Sequence, residues 1–213
     1  MSDIFREIDE ELRRDNLLKL WARYGRYIIA LGVALLLIAG GFVAWRDHQR
    51  TERLAQSARY AGAVALANAG KTADAAIVFA SVAKEGGGYS VLAAFQDAAL
   101  SARSGNRQAA VAAYDRIAAA PGVEPAFRDL AVLDAVMAGG ADADPKAAIA
   151  RLEPLTASGN PWRPMALALT AAARLRLGDD KTALELYKNL ADDPATPRDL
   201  RARAAEMIAA LAP

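Results

Sequence analysis

GKTADAAIVFASV (residues 70–82), GNRQAAVAAYDRI (105–117) and GDDKTALELYKNL (178–190) are three versions of one pattern. Each has a glycine, then alanine at Ala75, Ala110 or Ala183, then a ring at Phe79, Tyr114 or Tyr187, then Val82, Ile117 or Leu190. Small, large and aliphatic residues at i, i+4 and i+7 fall on one face of a helix. A fourth copy, Ala148…Leu152…Leu155, lacks the glycine in register and carries leucine in place of the ring. The markers at 79, 114, 152 and 187 are 35, 38 and 35 residues apart, a period that signals stacked helical hairpins.

Between the copies the chain keeps the same rhythm. Turn signals at Asn68–Gly70, Gly86–Gly88, Ser104–Asn106, Pro121-Gly122, Gly139-Gly140, Ser158–Pro161, Gly178-Asp179 and Pro194–Pro197 mark off short, alanine-rich helical stretches. No alternating strand pattern follows residue 50. Tyr89, Phe127 and Trp162 recur at intervals of 38 and 35 residues and open the first helix of successive units. Such rings either line a groove for a partner or staple each unit to the one before. One hairpin cannot bury its own apolar stripe, so units stack and the array needs a cap, for which residues 196–211 qualify. The expected fold is all-α: about four hairpins and a capping helix, preceded by an N-terminal amphipathic helix and a transmembrane helix.

Ahead of the repeats, YIIALGVALLLIAGGFVAW (27–45) holds nineteen residues without a charge. At about 1.5 Å per residue that helix matches the roughly 30 Å hydrocarbon core of a bilayer. Tyr24, Tyr27 and Trp45 stand at its ends, bracketed by Arg23, Arg26, Arg46 and Arg50. A soluble helix this long normally shows a polar face, which argues against a buried core helix. A cleavable signal has a shorter apolar stretch and a short basic start, although Ala39-Gly40-Gly41 would pass as a cleavage site. The reading is a single-pass anchor at 27–45, a cytoplasmic amphipathic segment at 1–26 and a periplasmic repeat domain at 46–213. Five cations within fifteen residues on the N-terminal side, against four on the other, point the N-terminus toward the cytoplasm.

Within 1–26, Ile4, Ile8 and Leu12 share a face that drifts to Leu17, Leu20, Trp21 and Tyr24, with acid-before-base pairs at i,i+4 on the outside. It is either a solvated lead-in or a helix lying at the membrane interface.

Composition excludes several kinds of chemistry. There is no cysteine and one histidine, His48, three residues past the apolar run, so thiolate metal sites and nucleophile–histidine pairs lack their parts. Residues 51–213 carry eighteen basic and eighteen acidic side chains, without the basic footprint of a nucleic-acid binder. Gly86-Gly87-Gly88 is not followed by lysine and reads as a flexible connection; Asp144-Pro145 reads as a helix cap followed by proline at the first helical position. No catalytic residue, cofactor, metal or small-molecule substrate is expected.

The repeat frame resembles tetratricopeptide repeats, whose unit is 34 residues and whose second helix carries the same small-then-aromatic marker, although the first-helix Trp-Leu-Gly-Tyr pattern is absent. That resemblance implies an array that binds peptides or proteins and performs no chemistry. Trp21, Tyr24, Gly25, Gly40, Gly41 and Trp45, taken with the repeat markers, also resemble the YfgM-type family of bacterial inner-membrane proteins, ancillary subunits of the Sec translocon. It implies a bacterial inner-membrane protein with a cytoplasmic N-terminus and a periplasmic array, in complex with translocon subunits and periplasmic chaperones. The alternative is a homo-oligomeric or envelope-assembly scaffold whose array packs on itself.

Overall fold

The absence of proline before Pro121 shapes the first half of the molecule, since nothing there removes a backbone donor. In the computed structural model, helix α1 runs unbroken from Ser2 to Asn68. The structure describes the backbone of residues 2–211 and the side chains of residues 23–27 and 29–211. The amphipathic face read from Ile4 to Trp21 therefore lies outside the described side chains. Eight further α-helices follow among the described residues: α2 (Thr72–Lys84), α3 (Ser90–Arg103), α4 (Arg107–Ala119), α5 (Pro125–Gly139), α6 (Pro145–Leu152), α7 (Arg163–Arg176), α8 (Asp180–Asp192) and α9 (Arg198–Leu211). Among the described residues there is no strand.

The chain divides into two units, Met1–Ala55 and Gln56–Pro213. In the first, every described side chain from Tyr27 to Trp45 is exposed, and Leu36 reaches 74%. This helix is long and apolar enough to cross a membrane. At its N-terminal end the guanidinium of Arg26 lies 4.8 Å from the centre of the Tyr27 ring, and that of Arg23 lies 5.9 Å from Tyr24.

The second unit is a stack of antiparallel hairpins. The Gln56–Asn68 end of α1 pairs with α2, α3 with α4, α5 with α6 and α7 with α8, and α9 covers the last pair. Gly70, Gly105 and Gly178 hold φ of +76°, +85° and +75° at the turn before α2, α4 and α8. A side chain in that left-handed conformation costs about 1–2 kcal/mol, which explains the glycine in the repeat frame. The third hairpin manages differently: Asp144 caps α6 by accepting from Lys146 N–H at 3.0 Å, with Pro145 at the first helical position. Pro154 then tightens the end of α6 into a 3-10 turn, Glu153–Thr156.

Burial follows the frame. Ala75, Ala110 and Ala183 have no exposed surface, so neighbouring helices approach closely there, and Phe79, Tyr114, Leu152 and Tyr187 are buried beside them. These side chains anchor four local clusters along the stack. Polar contacts keep the same step of about one repeat. Arg107 Nη1 meets Asp142 Oδ2 at 2.6 Å, Arg151 pairs with Asp115, and Arg176 donates to the Ala141 carbonyl at 2.7 Å. Each unit therefore leans on its neighbours alone.

One loop corrects the sequence reading. Gly86–Gly88 is clamped rather than free, because buried Gln56 donates from Nε2 to the Gly86 carbonyl. Gly87 sits at φ +82° directly over that amide, where a Cβ would come within 2.9 Å of Gln56 Oε1. The glycines here serve close approach as well as turning.

Candidate interaction surface

The three rings that open first helices each lie four residues before an alanine with no exposed surface, Ala93, Ala131 or Ala166, although the helices start at different points relative to them. Tyr89 and Trp162 are the capping residues just before α3 and α7, whereas Phe127 is the third residue of α5. Proline explains the early start of α5: Pro125, with φ preset and no N–H to lose, begins the helix two residues ahead of the ring. Tyr89 and Trp162 are half-buried against the preceding unit. The Tyr89 ring centre is 5.3 Å from that of Tyr60, and its phenol accepts from the Ser57 hydroxyl at 3.1 Å. Trp162 donates from Nε1 to the Ala126 carbonyl at 2.8 Å and packs against Leu133, Leu152 and Leu155. Its own N–H donates to Asn160 Oδ1 at 2.8 Å, while Asn160 Nδ2 donates to Asp129 Oδ2 at 2.9 Å. Phe127 meets Phe95 at 6.4 Å between ring centres and keeps 38% of its surface exposed.

Counting from the start of each helix reveals a different set. The third residues of α3, α5 and α7 are Leu92, Phe127 and Met165, all large and apolar, exposed by 38%, 38% and 39%. They do not share a repeat position, since Leu92 and Met165 directly precede the buried Ala93 and Ala166 whereas Phe127 lies four residues before the buried Ala131, but all three leave apolar surface open on first helices. Leu200 on the capping helix lies near Met165 at the end of the array. There the cap and α7 enclose a cleft of about 560 Å³ lined by Trp162, Pro164, Met165, Pro197, Leu200 and Arg203. Sequence reasoning followed aromatic identity and so retained only Phe127. The signal that would have found Leu92 and Met165 is their place directly before the buried alanine of the first helix, Ala93 or Ala166, which needs the packing.

A family model described as a tetratricopeptide repeat-like domain matches residues 19–189. The chain belongs to that family. The matched span takes in the apolar run of α1 as well as the hairpins. No curated protein and no solved structure matches. Tetratricopeptide repeat-like domains are interaction modules, so in this one the question becomes what its open surfaces offer a protein partner.

Two more clefts open on the tetratricopeptide-like array, each with one half-buried acid. Asp97 on α3 lines a cleft of about 390 Å³ between α2 and α4, with Val91, Ala94, Ile117, Lys84 and Arg116 around it. Burial raises its pKa above the usual carboxylate value, and Arg116 opposes the rise. Asp134 on α5 lines a cleft of about 310 Å³ with Ala99, Ala102, Arg103, Tyr114 and Met137, and burial raises its pKa too. The Tyr114 phenol is raised by burial and then by Asp134, with Arg103 opposing. Among the described residues no three metal-ligating side chains come together. Asp179 behaves oppositely: its carboxylate accepts from Thr182 and Arg174, which lowers its pKa, as suits the cap of α8.

Proposed function

We propose that this chain is a non-enzymatic, membrane-anchored protein-interaction module. Tyr27–Trp45 holds it in a bacterial inner membrane with residues 1–26 in the cytoplasm and the array in the periplasm. There the array recruits a protein partner beside the Sec translocon, either a periplasmic chaperone or an emerging chain. The observation that carries the reading is one of pairing. An apolar run with every described side chain exposed is matched, within a single family, to an array that leaves Leu92, Phe127 and Met165 partly open on its first helices. Apolar surface of both kinds needs cover, lipid for the first and protein for the second. The cation balance around the run supports the orientation, and the likeness of Trp21–Trp45 to YfgM-type proteins supports the translocon.

In vivo crosslinking followed by purification in mild detergent tests this. Translocon subunits and periplasmic chaperones should be enriched with the full chain, and lost with the Leu92→Ser/Phe127→Ser/Met165→Ser variant although it still melts as a folded array. Recovery of the chain alone, as multimers, would replace the recruiter with the homo-oligomeric scaffold. A phosphatase fused at Pro213 should be active; an inactive fusion would overturn the periplasmic placement.

A further inference from the structure

The two ends of the apolar run carry similar numbers of arginines but use them differently. On the N-terminal side Arg23 and Arg26 lie against Tyr24 and Tyr27, and Arg26 Nη2 donates to the Tyr27 hydroxyl at 3.1 Å. On the C-terminal side Arg46, Arg50 and Arg53 are exposed, and none forms an ion pair among the described residues. At about 100° per residue, positions 46, 50 and 53 fall within roughly 60° of one another, over about 10 Å of helix length. On either side of that stripe, Asp47 points about 60° beyond Arg50 and Glu52 about 100° beyond Arg53, and His48 lies on the far side. Trp45 and Phe42, 6.2 Å apart between ring centres, adjoin its membrane end.

Helix geometry gives the two ends opposite aims. Every Cα–Cβ bond tilts toward the helix N-terminus. Arginines after the run therefore lean back toward the bilayer, and those before it lean away. With Arg46 at the edge of the run, Arg50 and Arg53 stand about 6 and 10 Å beyond it, and long side chains leaning back reach the headgroup layer. Guanidinium groups suit phosphate oxygens, which they bind in a bidentate fork.

We propose that Arg46, Arg50 and Arg53 form a binding strip for the phosphates of anionic lipid headgroups in the leaflet at the C-terminal end of the run. This rests on the reading of Tyr27–Trp45 as a membrane span. If the C-terminal side is the translocated one, the strip also accounts for arginines where the positive-inside tendency disfavours them.

The full chain is reconstituted into vesicles of equal phosphatidylglycerol and phosphatidylcholine, and the lipids it retains are counted by native mass spectrometry. Attraction of a few-fold per arginine gives at least about ten-fold enrichment of phosphatidylglycerol, weakening as salt rises. Arg46→Gln/Arg50→Gln/Arg53→Gln should abolish the enrichment, Arg23→Gln/Arg26→Gln should retain it, and inorganic phosphate at matched ionic strength should not displace it. Equal retention of both lipids by the inserted parent chain, or enrichment surviving the triple variant, overturns the strip and leaves the anchor standing. Displacement by inorganic phosphate overturns the lipid as its ligand. Failure of the chain to enter vesicles of either lipid overturns the anchor and the strip together.

Discussion

Helix α2 and the apolar run of α1 are close in composition and opposite in fate. In α2 (TADAAIVFASVAK) the charged residues are confined to the two ends, yet Ala75, Phe79 and Val82 vanish from the surface against the end of α1 and α3. From Tyr27 to Trp45 not one described side chain is buried. Hydrophobic content sets how much cover a helix needs; the repeat frame decides whether protein supplies it. Even α2 makes the point internally, for Ile77, off the 75–79–82 face, is 71% exposed.

That contrast can be broken from either side. Phe79→Ala should have the largest effect, about 3–5 kcal/mol from the first hairpin, because a buried ring leaves a cavity its neighbours cannot fill. Urea unfolding followed by circular dichroism on the full chain in detergent would show it, with membrane partition unchanged. Leu36→Arg inverts the experiment. A charge at the centre of a span costs about 2.5–3.5 kcal/mol, so the carbonate-resistant membrane fraction should drop while the array's unfolding midpoint stays put. Trp162→Phe asks whether that ring staples or recognises. Losing the bond to the Ala126 carbonyl should cost about 1 kcal/mol of array stability. If stability is untouched, the stapling role falls.

The smallest effect sharpens the comparison from inside the array. Asp134 is an acid in apolar surroundings whose folded-state pKa is raised, so the folded chain holds its proton to higher pH than the unfolded chain does. Stability from this group therefore falls as pH rises through that window. Asp134→Asn should melt slightly above the parent at neutral pH, with the gap closing below the ordinary carboxylate value of 3.8. A variant that melts lower at pH 7 would show that the carboxylate has a stabilising partner.

Much of the array was legible because repetition makes one inference serve several places. Gly70, Gly105 and Gly178 announced their turns, and the small-ring-aliphatic face announced which side of α2, α4 and α8 faces inward. The degenerate copy around Leu152 was readable only by spacing, since its turn depends on Asp144 and Pro145 instead of glycine. Three features escaped. The openness of Leu92, Phe127 and Met165 depends on how each first helix packs against its neighbours. The acid in the Tyr114 cleft depends on α3 and α5 closing over one residue of α4. The Gly87 clamp depends on Gln56, some thirty residues earlier in the chain, arriving beneath it.

By itself the sequence determined what is local or periodic: an all-helical chain, the places where the hairpins turn, and one stretch long and apolar enough to cross a membrane. Those follow from backbone preferences and from the angular spacing of side chains on a helix, which need no knowledge of neighbours. Tertiary structure alone decided which of the apolar and acidic residues stay open to a partner. Exposure is a property of packed pairs of helices, and a side chain's own identity is silent on what will lie against it.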